Sequence, residues 1–246
     1  MIEQSLGKNY SRFVNVLIFI FPILINSVKV GGDIVLFILA VMGIFIAISK
    51  KLSPFNIKEI KVFSYLTAGY FIALCLAVLF SGTPTEQAHL LSRDLYFLFA
   101  PFIALALYKA EINVNYLLAG VKVGLIVLGL ISFGQLESGH TRASGVMNAD
   151  VFANLAVSMF FVVLVFFKQE SFKYKIFTLV SLLSGLFVIV ASGTRGAWLS
   201  FLLLLAVYLY FLYKQKALSS ARSKIIAVLI IVGVLSVVSL NQSIKL

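Results

Sequence analysis

Residues 176–191 (IFTLVSLLSGLFVIVA) and 199–213 (LSFLLLLAVYLYFLY) are almost wholly apolar, and between them lies SGTRGAW at 192–198. At about 1.5 Å of rise per helical residue, each run is about long enough to cross the hydrocarbon core of a bilayer. Lipid offers the backbone no hydrogen bonds, so a spanning segment is either a helix or a strand of a closed barrel. Unbroken apolar runs exclude the barrel, whose strands alternate. The stretch therefore reads as two membrane helices joined by a tight polar turn at a surface. Arg195 is the costly residue of that turn, and the side on which it lies decides what it is for.

The rest of the 246 residues extends the pattern: 61% are hydrophobic and 12% charged, with a mean hydropathy of +1.08. A soluble domain of this length cannot hide so much apolar surface in one core. The expected fold is all-α, a polytopic transmembrane bundle of about nine spans in a single domain. Apolar runs place the spans near 13–28, 31–49, 62–81, 95–109, 115–134, 151–167, 176–191, 197–213 and 225–240. Pro22 and Pro101 are expected to kink the first and fourth, where neighbouring helices must satisfy the freed carbonyls. The single cysteine, Cys75, lies within an apolar run and reads as a small lipid-facing or core residue.

Alternating the loops between two sides puts 14 basic residues on one side and 5 on the other, with Lys122 left inside a span. The positive-inside rule makes the richer side cytoplasmic, so the N-terminus is expected inside and the C-terminus outside. The net charge of +11 then reflects orientation in the membrane and not nucleic-acid binding. Tyr208, Tyr210 and Tyr213 are expected at the inner end of the eighth span, and Trp198 at its outer end.

Three of the five outer basic residues are arginines: Arg93, Arg142 and Arg195. A guanidinium grips phosphate oxygens with two parallel hydrogen bonds and is less strongly hydrated than an ammonium. Asn148 or Asp150 can cap the sixth span, and Ser192 or Thr194 the eighth, so Arg142 and Arg195 each lie near a helix start. Free amides and the positive end of the helix dipole there add to the charge, and Gly145, Gly193 and Gly196 let the backbone come close to a ligand. The three segments together describe an anion site at the outer membrane surface.

Each residue also has a plainer reading. An arginine at a span's end snorkels into the headgroups, Arg93 has Asp94 and Glu86 beside it as partners for a structural ion pair, and Arg142 lies in a polar loop. His89 and His140 read as solvated loop histidines, and no second His or Cys stands at metal-ligand spacing, so no metal is expected. The pairs Glu86/Asp94 and Glu137/Asp150 have no spacing that argues acid–base chemistry. Ionisable residues inside spans are scarce apart from Lys122, which weighs against an ion-coupled transporter.

The turn at 192–198, leading into an apolar helix, resembles the signature of the O-antigen ligase and O-antigen polymerase superfamily of bacterial inner membranes. The segment from Arg142-Ala143-Ser144-Gly145 to Asn148-Ala149-Asp150 is similar to that family's preceding outer loop, which commonly reads Arg-x-Ser-Gly and then Asn-Pro-Asn. Here Ala149 stands for the proline and Asp150 for the second asparagine. The order of spans and loops is also similar, so the resemblance covers essentially the whole chain. It implies a metal-independent, cofactor-free glycosyltransferase of lipopolysaccharide biosynthesis in the inner membrane, acting at the periplasmic face. The donor would be a saccharide on undecaprenyl diphosphate. The acceptor would be the lipid A core in a ligase, another glycan in a polymerase, or a protein side chain in an oligosaccharyltransferase.

By motif match Arg195 carries over as a diphosphate ligand and Arg142 as a weaker one, while Arg93 is a candidate from its residue type and side alone. The resemblance also implies a base histidine in a large periplasmic loop after a span like the ninth, where this sequence stops; neither His89 nor His140 matches it. The catalytic residue is thus unassigned, and the chain is expected to be an N-terminal portion of the enzyme. A transporter or flippase of lipid-linked sugars and an inactive truncated remnant are the competing readings.

Overall fold

The computed structural model describes residues 7–81, 91, 94–167 and 170–214. Within them run α1 (Lys8–Ser27), α2 (Gly31–Ser49), α3 (Lys58–Leu79), α4 (Tyr96–Tyr108), α5 (Val114–Glu137), α6 (Ala149–Phe166), α7 (Phe172–Ser192) and α8 (Arg195–Lys214), with no strand among the described residues. The all-α expectation holds. Seven of these helices are long and apolar enough to cross a membrane, which puts the chain among multi-pass helical membrane proteins. The eighth, α4, has 13 residues with Pro101 inside it. At about 1.5 Å per residue it falls short of a ~30 Å hydrocarbon core. The expected ninth span, 225–240, lies outside the described residues.

The chain divides into two units, 1–21 with 30–117 and 22–29 with 118–246. In the first unit α4 is packed by both α2 and α3. Gly43 makes the α2 contact possible: a Cβ there would stand 1.8 Å from the carbonyl oxygen of Phe102, closer than any atom can sit. Between membrane helices, where lipid is as apolar as leucine, such small residues let backbones approach and dispersion hold them. On the other side Tyr70 of α3 stacks on Phe97 at 4.4 Å, and its hydroxyl donates to Asp94 at 3.2 Å. The start of α1 is stapled to the α4–α5 connection: Asn15 donates to the Glu111 carbonyl at 3.0 Å and accepts from the Asn113 amide at 2.8 Å. Ser11 accepts from the Glu111 amide at 3.1 Å. Two segments that the charge count put on one side therefore meet.

The second unit is built on α6, which packs against α7 and α8. Its centre is aromatic. Phe160 and Phe161 lie 5.4 and 5.3 Å from the Phe201 ring, and Trp198 stacks edge-on against the same ring at 6.4 Å. Trp198 is only 8% exposed. Trp198, in the first turn of α8, is therefore packed into the protein one turn before Phe201. Helix α5 approaches its neighbours through small residues: a Cβ on Gly129 would meet Ser184 of α7 at 3.0 Å, and one on Gly124 would meet the Pro22 carbonyl oxygen at 2.9 Å. Outward faces of both units carry large apolar side chains, among them Phe45 at 70% exposure and Leu199 at 71%. That distribution suits lipid as the solvent.

Lys122, which the sequence places inside a span, is buried and paired with Glu170 of the α6–α7 connection. Glu170 also accepts from the Thr178 hydroxyl of α7. The pair is 7% and 12% exposed, so each charge has traded water for the other.

Two tests follow from this packing. Gly43→Ala should lower the stability of the purified protein by about 1–3 kcal/mol or prevent its recovery as folded material. Gly69→Ala, with nothing within 4 Å of the new methyl, should leave it unchanged or raise it by ~0.5–1 kcal/mol. Thermal unfolding in detergent reads both, and equal midpoints would sink the close-approach account. Separately, Lys122→Met or Glu170→Leu alone should cost ~3 kcal/mol, while the variant that carries both should recover most of it. Additive losses in that cycle would show that the two side chains do not act as a pair.

Candidate functional site

Helix α7 ends because Gly193 takes a left-handed conformation (φ 62°), its amide donating to the Val190 carbonyl at 3.1 Å. Glycine alone adopts this without strain. Before it, the buried Ser192 hydroxyl donates to the Ile189 carbonyl at 2.8 Å and stands 3.1 Å from the Thr194 hydroxyl, which is also buried. These two hydroxyls thus face inward onto one another, closing the turn. Arg195 follows as the first residue of α8 and is exposed, as is Gly196. A Cβ on Gly196 would meet nothing within 4 Å, so helix packing does not require glycine there. Among the described residues no acceptor pairs with the amides of Arg195 and Gly196. That is the normal state of a helix's first turn and the source of its positive potential.

The second segment, 138–148, is held at several points. The Ala143 amide donates to the Ala191 carbonyl at 2.9 Å. Gln135, near the end of α5, accepts from the amides of Ser144 (2.9 Å) and Gly145 (3.0 Å) and donates to the Gly145 carbonyl at 2.8 Å. Gly145 has φ 60°, and a Cβ on it would lie 2.4 Å from the Phe152 ring, so both its conformation and its neighbour demand glycine. Asn148 then caps α6, its side chain accepting from the Asp150 amide at 3.0 Å. Of the two caps expected for this helix, Asn148 is the one used.

The sequence placed Arg142 and Arg195 in separate outer loops; the Ala143–Ala191 bond joins them. Arg142, exposed, precedes one end of that bond, and Arg195 follows the other end by four residues. The expectation of free amides is corrected at the α6 side. The amides of Ala143, Ser144, Gly145 and Asp150 are all occupied by protein acceptors. There the positive charge offered outward is the guanidinium of Arg142, whereas at the α8 side helix amides remain open beside Arg195. Arg93, Glu86 and His89 lie outside the described residues. His140, Glu137 and Asp150 are exposed.

Gln135 was not singled out from the sequence, because a glutamine at the end of an apolar run reads as an ordinary helix terminus. Its only signal is its place near the end of the apolar run, seven residues before the Arg-x-Ser-Gly stretch. Asn26 Oδ1 and Ser132 Oγ, both buried in the second unit, have no hydrogen-bond partner among the described residues. Ser132 lies one turn before Gln135 on α5. Among the described residues no three His, Cys, Asp or Glu side chains come together as metal ligands. In the first unit an open cleft of about 580 Å³ carries Lys8 and Arg12 beside Glu111 and Tyr116. Its two cations share the space with a carboxylate, so it is a less clearly anion-seeking place than the arginine pair.

Replacing Asn148 by Ala should remove the α6 cap and cost about 1 kcal/mol of stability. Gly145→Ala should cost more, since the methyl meets a buried ring as well as a left-handed backbone. Equilibrium unfolding of both variants checks the order, and a smaller loss for Gly145→Ala would contradict the loop geometry.

No family model matches the chain, and neither a curated protein nor a solved structure does.

Proposed function

We propose that the chain forms the donor-binding part of a bacterial inner-membrane glycan transferase of the O-antigen ligase type. The donor is a saccharide on undecaprenyl diphosphate and the acceptor the lipid A core; a polymerase or a protein oligosaccharyltransferase would use the same donor site with another acceptor. In this reading the N-terminus is cytoplasmic and the arginine segments face the periplasm. One observation carries it: Arg142 and Arg195 are exposed on two segments joined by the Ala143–Ala191 hydrogen bond, with helix amides at Arg195 that have no acceptor among the described residues. Cations on an anchored backbone and aligned amides at one end of a helical membrane unit suit a diphosphate whose lipid tail lies alongside in the bilayer.

The chemistry follows from the donor. The acceptor hydroxyl oxygen attacks the anomeric carbon, the bond from that carbon to the diphosphate oxygen breaks, and undecaprenyl diphosphate leaves with the electron pair. The hydroxyl proton passes to a base. Cationic groups held at the diphosphate stabilise the charge that grows on the leaving oxygen, and this assists bond cleavage more than ground-state binding. We assign that part to Arg195 and Arg142, with Arg93 as a third candidate. No described residue is assigned as the base: His140 is an exposed loop residue with no partner that would orient it among the described residues.

The test is genetic and quantitative. Arg195→Ala and Arg195→Lys, introduced into the chromosomal gene, should each reduce glycan on lipid A core, the alanine variant by roughly 10²-fold. The lysine variant should recover only part, since an ammonium cannot form the two-pronged contact. Gel analysis of lipopolysaccharide alongside membrane levels of the protein reads the result. Full decoration by both variants would remove Arg195 from the reaction.

A further inference from the structure

We propose that Gln135 is the positioning residue for Arg142: its amide sets the backbone on which that guanidinium is presented. The proposal rests on the reading of the arginine pair as a diphosphate site. Three hydrogen bonds run from this one side chain into the loop. Its Oε1 accepts from two successive amides, Ser144 and Gly145, at 2.9 and 3.0 Å, and its Nε2 donates to the Gly145 carbonyl at 2.8 Å. Successive amides turned toward one point, with a left-handed residue in the pair, form a concavity that ordinarily attracts an anion. Here the glutamine oxygen fills it, so the amides serve the loop's shape and are not offered to a ligand.

The adjoining Ala143 amide is spent on Ala191. Arg142 therefore stands just before three consecutive residues whose amides are all anchored, one to α7 and two to α5. Without Gln135 the Ala191 bond, the turn closed by the Met147 amide on the Ser144 carbonyl and the α6 cap remain, but Ser144 and Gly145 lose their anchor to α5. Gly145, free of a side chain, then has the widest choice of alternatives. The predicted consequence is a loss of order at Arg142 with the helices intact. The neighbouring Ser132 hydroxyl, buried and without a protein partner one turn back on α5, does not substitute for it.

The test is a double-mutant cycle on the purified protein in nanodiscs of phosphatidylethanolamine and phosphatidylglycerol, titrated with undecaprenyl diphosphate. Gln135→Leu should weaken binding about tenfold, comparable to Arg142→Ala, with the thermal midpoint falling only slightly. In an Arg142→Ala background Gln135→Leu should change affinity less than twofold, because a residue acting through Arg142 has nothing left to act on. Gln135→Glu keeps the oxygen for both amides and loses the donor to the Gly145 carbonyl. It should fall between the wild type and the leucine variant, and it carries the same cycle if the leucine variant does not fold.

Wild-type affinity in Gln135→Leu beside a weakened Arg142→Ala would overturn the proposal and leave the diphosphate site standing. Equal losses with and without Arg142 would overturn it too, since they mark a general structural role. If Arg142→Ala binds normally while Arg195→Ala does not, Gln135 has no arginine to position, and the proposal fails on that ground. No binding by the wild type, or none of it sensitive to either arginine, would sink the diphosphate reading and the proposal with it.

Discussion

Close approach of helix backbones is the constraint on which both units depend. Between helices surrounded by lipid, burial of leucine against leucine gains little over leucine against acyl chain, so contact distance decides how strongly two helices hold. In the first unit α2 and α4 meet where Gly43 lies against the Phe102 carbonyl. In the second, α5 meets its neighbours at Gly124 and Gly129. Between α6 and α8 the contact is of another kind, made by the rings of Phe160, Phe161 and Phe201.

Polar groups in this framework are spent in two ways. Most are closed on one another: Ser192 with Thr194, Lys122 with Glu170, Asn15 with the 111–113 backbone. These serve the fold, since a buried polar group left alone costs more than a paired one returns. The arginines at 142 and 195 are instead exposed, on segments whose own backbone is largely satisfied. Holding a flexible charged side chain on a stiff base lowers the entropy lost when it grips a ligand. The rigid parts beneath the arginines are therefore as much a part of the candidate site as the charges are.

The helices were legible because a long apolar run in a chain of this composition favours helix, and each described helix overlaps one of the apolar runs. The Asn148 cap was legible too, from a polar residue placed just before an apolar run. What escaped was long-range pairing. Glu170 lies 48 residues from Lys122, and no spacing rule links them; an orientation argument counts basic residues and passes over a lone glutamate. Gln135 escaped because hydropathy scores the residue and not its partners. The burial of Trp198 escaped because an aromatic at a span's end can serve an interface or a core, and hydropathy does not separate the two.

The Lys122–Glu170 pair also sets an order of events in the making of the protein. Helix α5 is synthesised with its lysine before Glu170 exists, and the 48 residues from the one after Lys122 to Glu170 take roughly 2–10 s at 5–20 residues per second. For that interval the nascent helix carries its lysine without that partner, off the helix centre, where the cost stays below the about 3 kcal/mol of a central lysine. The pairing that α5 relies on is thus available only once the connection after α6 has left the ribosome. The helix hairpin of α6 and α7 acts on its predecessor as a latch, closing from downstream.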